Sequence, residues 1–243
     1  MFARVLSSVV FGGTAVVAVC YVVARRRRRS VSDGDGGRAP LVIPLWPGRA
    51  HPCMRIHLPD GDAKSLAAMI CFHGGGWSTC WGSGKGAAAW AASKGMVGVE
   101  VEYAAAHGAL QVVDGKAVPL AEGESSVLEP LAEGEAPYPQ CLRDAGRAVR
   151  LVRSLGSKGE LPVDTARVCA CGFSAGGWLV GMLCTMDADY LANVTEDDLS
   201  ADWSCVPNRA AICYGVTTLL DHSPPKLLDA IRLLLGEELH EQV

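Results

Sequence analysis

Gly172-Phe173-Ser174-Ala175-Gly176-Gly177 follows the compact apolar run Arg167 to Cys171 and opens an uncharged stretch that reads as a helix from Ala175 to about Met186. A strand that runs directly into a helix must reverse within two or three residues. Small residues two before and two after the serine permit that turn. Its chemical consequence is that Ser174 Oγ stands at the carboxyl edge of a sheet, and the helix that follows points its first amides at any oxygen developing negative charge there. Glycine and serine are common, so Gly-x-Ser-x-Gly alone is weak, and a serine here can also serve simply as a helix N-cap.

The second motif, about 100 residues upstream, is His73-Gly74-Gly75-Gly76-Trp77, again just after an apolar run, Leu66 to Phe72. Glycines there let backbone N–H groups approach a substrate carbonyl without side chains in the way. The two motifs in this order, each at a strand end, resemble the α/β-hydrolase superfamily, specifically the esterase branch related to hormone-sensitive lipase and the bacterial acetylxylan or feruloyl esterase-like proteins. Tyr138-Pro139 with Asp144, then Asp164-x-x-Arg167-Val168, and Arg209 to Tyr214 extend the likeness over about Leu66 to Gly236. The resemblance implies a serine esterase in which Ser174 is the nucleophile and the amides of Gly75, Gly76 and Ala175 form the oxyanion hole. It gives His73 a structural role in holding the glycine loop, and it implies no cofactor and no metal.

In that family the catalytic acid and histidine follow later strands, in the order Ser, Asp or Glu, His. After Ser174 the histidines are His222 and His240 and the acids include Asp221 and Asp229, so the order can be satisfied, with Asp221 the best acid candidate and His240 the remaining base. Asp221 sits just past a strand end, but its neighbour His222 is badly placed to be oriented by it, and His240 falls at what reads as a surface helix end. The expectation is therefore a domain cut short at Val243, lacking roughly 50 to 80 residues of a typical length, with its acid and base absent from their usual places.

Around the motifs, apolar strand runs alternate with helical periodicity: Leu66 to Phe72, Ala87 to Lys94, Met96 to Val101, Tyr138 to Leu155, Arg167 to Cys171, Ala210 to Tyr214 and Lys226 to about Leu239. Alternation of this kind predicts an α/β fold, a mostly parallel sheet with helices on both faces and without its last strands. Gly108 to Pro137 reads as an insertion, with a small hairpin turning through Asp114-Gly115.

Val5 to Ala24 is an uncharged run of 20 residues followed by Arg25 to Arg29. At helical rise such a run matches a hydrocarbon core, and the arginines on its C-terminal flank predict a single-pass anchor with the hydrolase domain on the cytosolic side. A mitochondrial targeting segment is the competing reading. Residues 1–29 are thus expected as anchor and basic flank, 30–40 as a Gly-rich flexible linker and 41–243 as the hydrolase domain.

The chain as a whole is slightly acidic, 22 Lys and Arg against 26 Asp and Glu, which argues against nucleic acid as a partner. Ten cysteines without a C-x-x-C pair indicate neither a zinc knuckle nor a redox pair, and most read as buried thiols. Gly82-Ser83-Gly84-Lys85-Gly86 fails as a phosphate-binding loop, because Thr79 and Gly86 stand where glycine and Ser or Thr are required. The partners expected are a small-molecule or lipid ester and a membrane. An arylformamidase-like amide substrate is a further possibility within the enzyme class. The alternative from another class is a non-catalytic, hydrolase-like protein that binds a ligand or partner at the membrane through the same cleft.

Overall fold

A computed structural model describes residues 39–80, 83–106, 131–132, 135–217, 219 and 225–236, with the backbone of four strand segments at 9–11, 15–18, 110–113 and 116–119. In chain order the elements are β1 (Val9–Phe11), β2 (Ala15–Ala18), β3 (Leu41–Pro44), β4 (Cys53–His57), β5 (Leu66–Phe72), α1 (Ser83–Ser93), β6 (Val97–Val101), β7 (Leu110–Val113), β8 (Lys116–Pro119), α2 (Gln140–Ser157), β9 (Val163–Phe173), α3 (Ala175–Thr185), α4 (Ala188–Thr195), β10 (Arg209–Cys213) and α5 (Pro225–Leu235). Strands β7 and β8 pair antiparallel as the expected hairpin; its turn residues lie outside the described residues.

The main sheet has eight strands in the order β1-β2-β10-β9-β5-β6-β4-β3. Its centre, β10-β9-β5-β6, is parallel, and β4 and β3 are added antiparallel at one side. The central strands are covered on both faces, which explains why β6, Val-Gly-Val-Glu-Val, is buried at every position and reads as a continuous run rather than an alternation. One face is wholly apolar: Met54, Ile56, Ile70, Phe72, Val97, Val99, Val101 and Ala170 pack with helices α2, α3 and α5. Complete burial of a Leu or Ile side chain there is worth about 1.5–3 kcal/mol.

Because strand side chains alternate, the intervening positions share the opposite face, beneath α1. That face carries Cys71 and Cys171 packed on Ala88, and further along it Cys53, Arg55, His57, Glu100 and Glu102. Helix α2 buries Leu142, Ala145, Val149 and Val152 at helical spacing, and with them Arg147, Arg150 and Arg153. The arginines are satisfied by the segment that follows α4. Arg150 bonds the Thr195 carbonyl at 2.5 Å and Asp197 at 3.1 Å, Arg147 pairs with Asp198, and Arg153 bonds the carbonyls of Ser204 and Val206.

Of the run expected as a membrane helix only 9–11 and 15–18 are described, as two strands, and among the described residues no helix is long and apolar enough to cross a membrane. Strand β1 pairs antiparallel with β2, and β2 lies parallel beside β10, with Val17 and Ala18 opposite Ala210 and Ala211. Valine-rich, β-branched sequence suits a strand as well as an apolar helix, and an edge strand of unpaired N–H and C=O groups is a template for pairing. The edge beyond β10 is paired in this way.

Candidate active site

Ser174 has φ 51° and ψ −115°, a conformation costly for a residue with a Cβ, and its side chain makes no cap hydrogen bond to α3. The N-cap reading is thereby removed. What holds the turn is backbone and close packing: the Ser174 amide donates to the Cys213 carbonyl at 3.0 Å, and the Ser174 carbonyl accepts from the Trp178 amide at 3.1 Å. The neighbouring glycines are sterically required. A Cβ on Gly176 would lie 2.5 Å from the His73 carbonyl oxygen and nearer still to that of Phe72, and a Cβ on Gly172 would lie 2.5 Å from the Gly176 carbonyl carbon.

The glycine loop stands directly beside the serine. A Cβ on Gly74 would be 3.2 Å from Ser174 Cβ. Beyond it the chain coils through positive φ at Gly75, Gly76 and Trp77, and the amides of Ser78 and Thr79 both donate back to the Gly75 carbonyl. Two outer bonds anchor the loop: Tyr103 Oη donates to the His73 carbonyl at 2.6 Å, and the Ala106 amide donates to the Trp77 carbonyl at 2.9 Å. Among the described residues the amides of Gly75, Gly76 and Ala175 donate to no protein group, and the last is the first amide of α3.

His73 holds the loop through its carbonyl rather than its ring. The ring is buried edge-on to Tyr103, with neither nitrogen hydrogen-bonded among the described residues, and burial pushes its pKa down to about 4. Trp77 and Trp178, which follow the two motif glycine runs, are core residues packed edge to face at 5.5 Å. Asp144 is fully buried and accepts from Trp46 Nε1 at 2.7 Å, Gln140 Nε2 at 2.7 Å and the Ala104 amide at 2.8 Å. Burial raises its carboxyl to about 6, and its bonds tie α2 to the chain beyond β3 and β6. Asp221 and His240 lie outside the described residues, as do His222 and Trp81.

Sequence reasoning passed over His51, Cys53 and Glu102. His51 Nδ1 lies 2.8 Å and Cys53 Sγ 3.2 Å from Glu102 Oε2, while Arg55 holds Glu102 Oε1 at 2.6 Å. No local spacing announces this group, since Glu102 is brought in by strand register from 49 residues away.

No protein-family model matches the chain, and no curated protein matches it in sequence. Solved structures do. Thermogutta terrifontis esterase 2 phosphonylated by sarin superimposes with a TM-score of 0.60 at 21% identity, over 82% of this chain and 64% of that one. The butyrate-bound form of the same planctomycete esterase gives 0.56 at 23% identity, over 83% and 64%. An acetyl ester-xyloside bifunctional hydrolase from Caldicellulosiruptor lactoaceticus gives 0.57 at 24% identity, over 84% and 66%. The chain thus spans less than two thirds of the length of these proteins. These superpositions show that the chain shares the mixed α/β fold of these proteins.

Proposed function

We propose that the chain is a serine hydrolase that cleaves carboxylic esters by acyl transfer through Ser174. The observation that carries this reading is the pairing of a strained serine with three uncommitted amides, those of Gly75, Gly76 and Ala175, on the two loops that meet at Gly74 and Ser174. Ser174 Oγ attacks the ester carbonyl carbon and its proton passes to a base. The carbonyl oxygen becomes an oxyanion that the three amides stabilise, and the alcohol leaves as the acyl–serine bond forms. Water then reverses the sequence and frees the acid.

His240 as base and Asp221 as its acid remain the candidates within the sequence. Of the described histidines, none is hydrogen-bonded to Ser174. The neighbours favour a small acyl group, one of them being a butyrate-bound esterase and another an acetyl esterase by name. Hydrolysis of p-nitrophenyl acetate and butyrate by the full chain tests the reading. Turnover that falls at least about a thousandfold in Ser174→Ala supports it. A folded protein no faster than that variant contradicts it and favours the ligand-binding alternative.

A further inference from the structure

We infer that His51, Cys53 and Glu102 form a binding site for a borderline-soft divalent cation of the zinc type, a site independent of the hydrolytic reading. Among the described residues they are the one set of three potential ligands whose donor atoms all lie within 4.8 Å of one another. They come from the start of β4 and the residue after β6, adjacent antiparallel strands joined here by the bond from the Glu102 amide to the Cys53 carbonyl at 2.9 Å. Imidazole, thiolate and carboxylate together are the donor chemistry that zinc and cobalt accept in tetrahedral coordination.

The distances fit a site closed by hydrogen bonds in place of a metal. Around a tetrahedral ion with metal–N and metal–O bonds of about 2.0–2.1 Å and metal–S of about 2.3 Å, neighbouring donors stand about 3.3–3.6 Å apart. The present separations from Glu102 Oε2 are 2.8 Å to His51 Nδ1 and 3.2 Å to Cys53 Sγ. Opening each by about half an ångström or less accommodates the ion. Arg55 supports the arrangement. Its guanidinium holds Oε1, so that Oε2 is the oxygen turned toward His51 and Cys53, the part an outer partner plays in fixing a metal-bound carboxylate. His51 also lines, with Arg49, Gln140 and Asp144, a cavity of about 420 Å³, while Cys53 and Glu102 are buried.

Binding replaces the Cys53 S–H bond with a metal–sulfur bond and releases that proton to solvent. The ion must displace that proton to bind.

Cobalt(II) titration of the metal-stripped full chain tests the site. We expect one equivalent to bind with a thiolate-to-cobalt charge-transfer band in the near ultraviolet, bleached by zinc. Cys53→Ser removes that band. His51→Gln, which leaves the Glu102–Arg55 pair in place and serves if the first variant does not fold, weakens binding at least tenfold. Absence of a stoichiometric band in the folded wild type overturns the inference. So does a band and affinity unchanged in either folded variant, which would assign the cobalt to other thiols such as Cys71 or Cys171.

Discussion

Replacing Gly176 by alanine adds one methyl group where the structure has no room for it. The new Cβ would sit 2.5 Å from the His73 carbonyl oxygen and 2.4 Å from that of Phe72, both backbone atoms at or just past the end of β5. An ordinary Cβ contact begins at 3.4 Å, so α3 must retreat from β5 by about 1 Å or the glycine loop must move by as much. Helix propensity pulls the other way, since alanine is favoured over glycine by up to about 1 kcal/mol inside a helix. Overpacking that forces backbone shifts costs typically about 1–3 kcal/mol, occasionally more, and here both clashing partners are main chain. We expect Gly176→Ala to lose about 2 kcal/mol in urea unfolding and to lose esterase turnover more severely, because the loop that moves carries the oxyanion amides. Gly181→Ala on the same helix is the control, for its Cβ would meet only Ile212 Cδ1 at 3.7 Å. A Gly176→Ala protein as stable as Gly181→Ala, with normal turnover, would refute the close approach on which the site rests.

Gly86→Ala should stabilise the protein by about 0.5–1 kcal/mol in the same assay, since the position lies inside α1 with no atom within 4 Å of the added methyl. Asp197→Ala should cost about 3–5 kcal/mol, because the carboxylate is fully buried between Arg150 at 3.1 Å and Arg147 at 3.7 Å and its loss leaves the buried Arg150 guanidinium without its carboxylate, Arg147 keeping Asp198. His73 and Asp144 should tilt the dependence of stability on pH in opposite directions. The His73 pKa is depressed in the folded protein, so its contribution is present above pH 6.5 and falls away as pH drops toward about 4, a change of ~3 kcal/mol that His73→Gln removes. The Asp144 pKa is raised, so its contribution is present below 3.8 and lost as pH climbs through about 6; Asp144→Asn should therefore gain on the wild type over that interval in urea titrations.

The residues legible in sequence are those whose demands are local. Gly172, Ser174 and Gly176 announce a tight turn because only a small residue fits two places either side of it, and the loop at Gly75 and Gly76 announces itself by the same steric rule. The parallel core was legible from the apolar run of β5, from that of β6 interrupted only by Glu100, and from the second half of β9 after Arg167. Strands β3 and β4 were not. They are short, and β4 alternates core residues Met54 and Ile56 with Arg55 and His57, a pattern masked by cysteine and histidine that are polar in composition yet buried by the sheet. Buried arginines escape a sequence reading for a related reason. Arg147, Arg150 and Arg153 continue the apolar stripe of α2, and only the folded chain shows that Asp197, Thr195 and a row of carbonyls receive them. Val5 to Ala24 is ambiguous in sequence, because valine satisfies the hydropathy of a membrane helix and the backbone preference of an edge strand equally, and its described residues, 9–11 and 15–18, are strands.

The central claim is that Ser174 is an activated nucleophile facing an oxyanion hole. The esterase that superimposes on this chain is known in a form phosphonylated by sarin, which makes a phosphonate probe the natural reagent. Intact-mass measurement of the full chain after treatment with a fluorophosphonate tests the claim most directly. We predict a single adduct on Ser174 that is absent from a folded Ser174→Ala variant; a folded wild type that takes no label, or a variant labelled to the same extent, would contradict it.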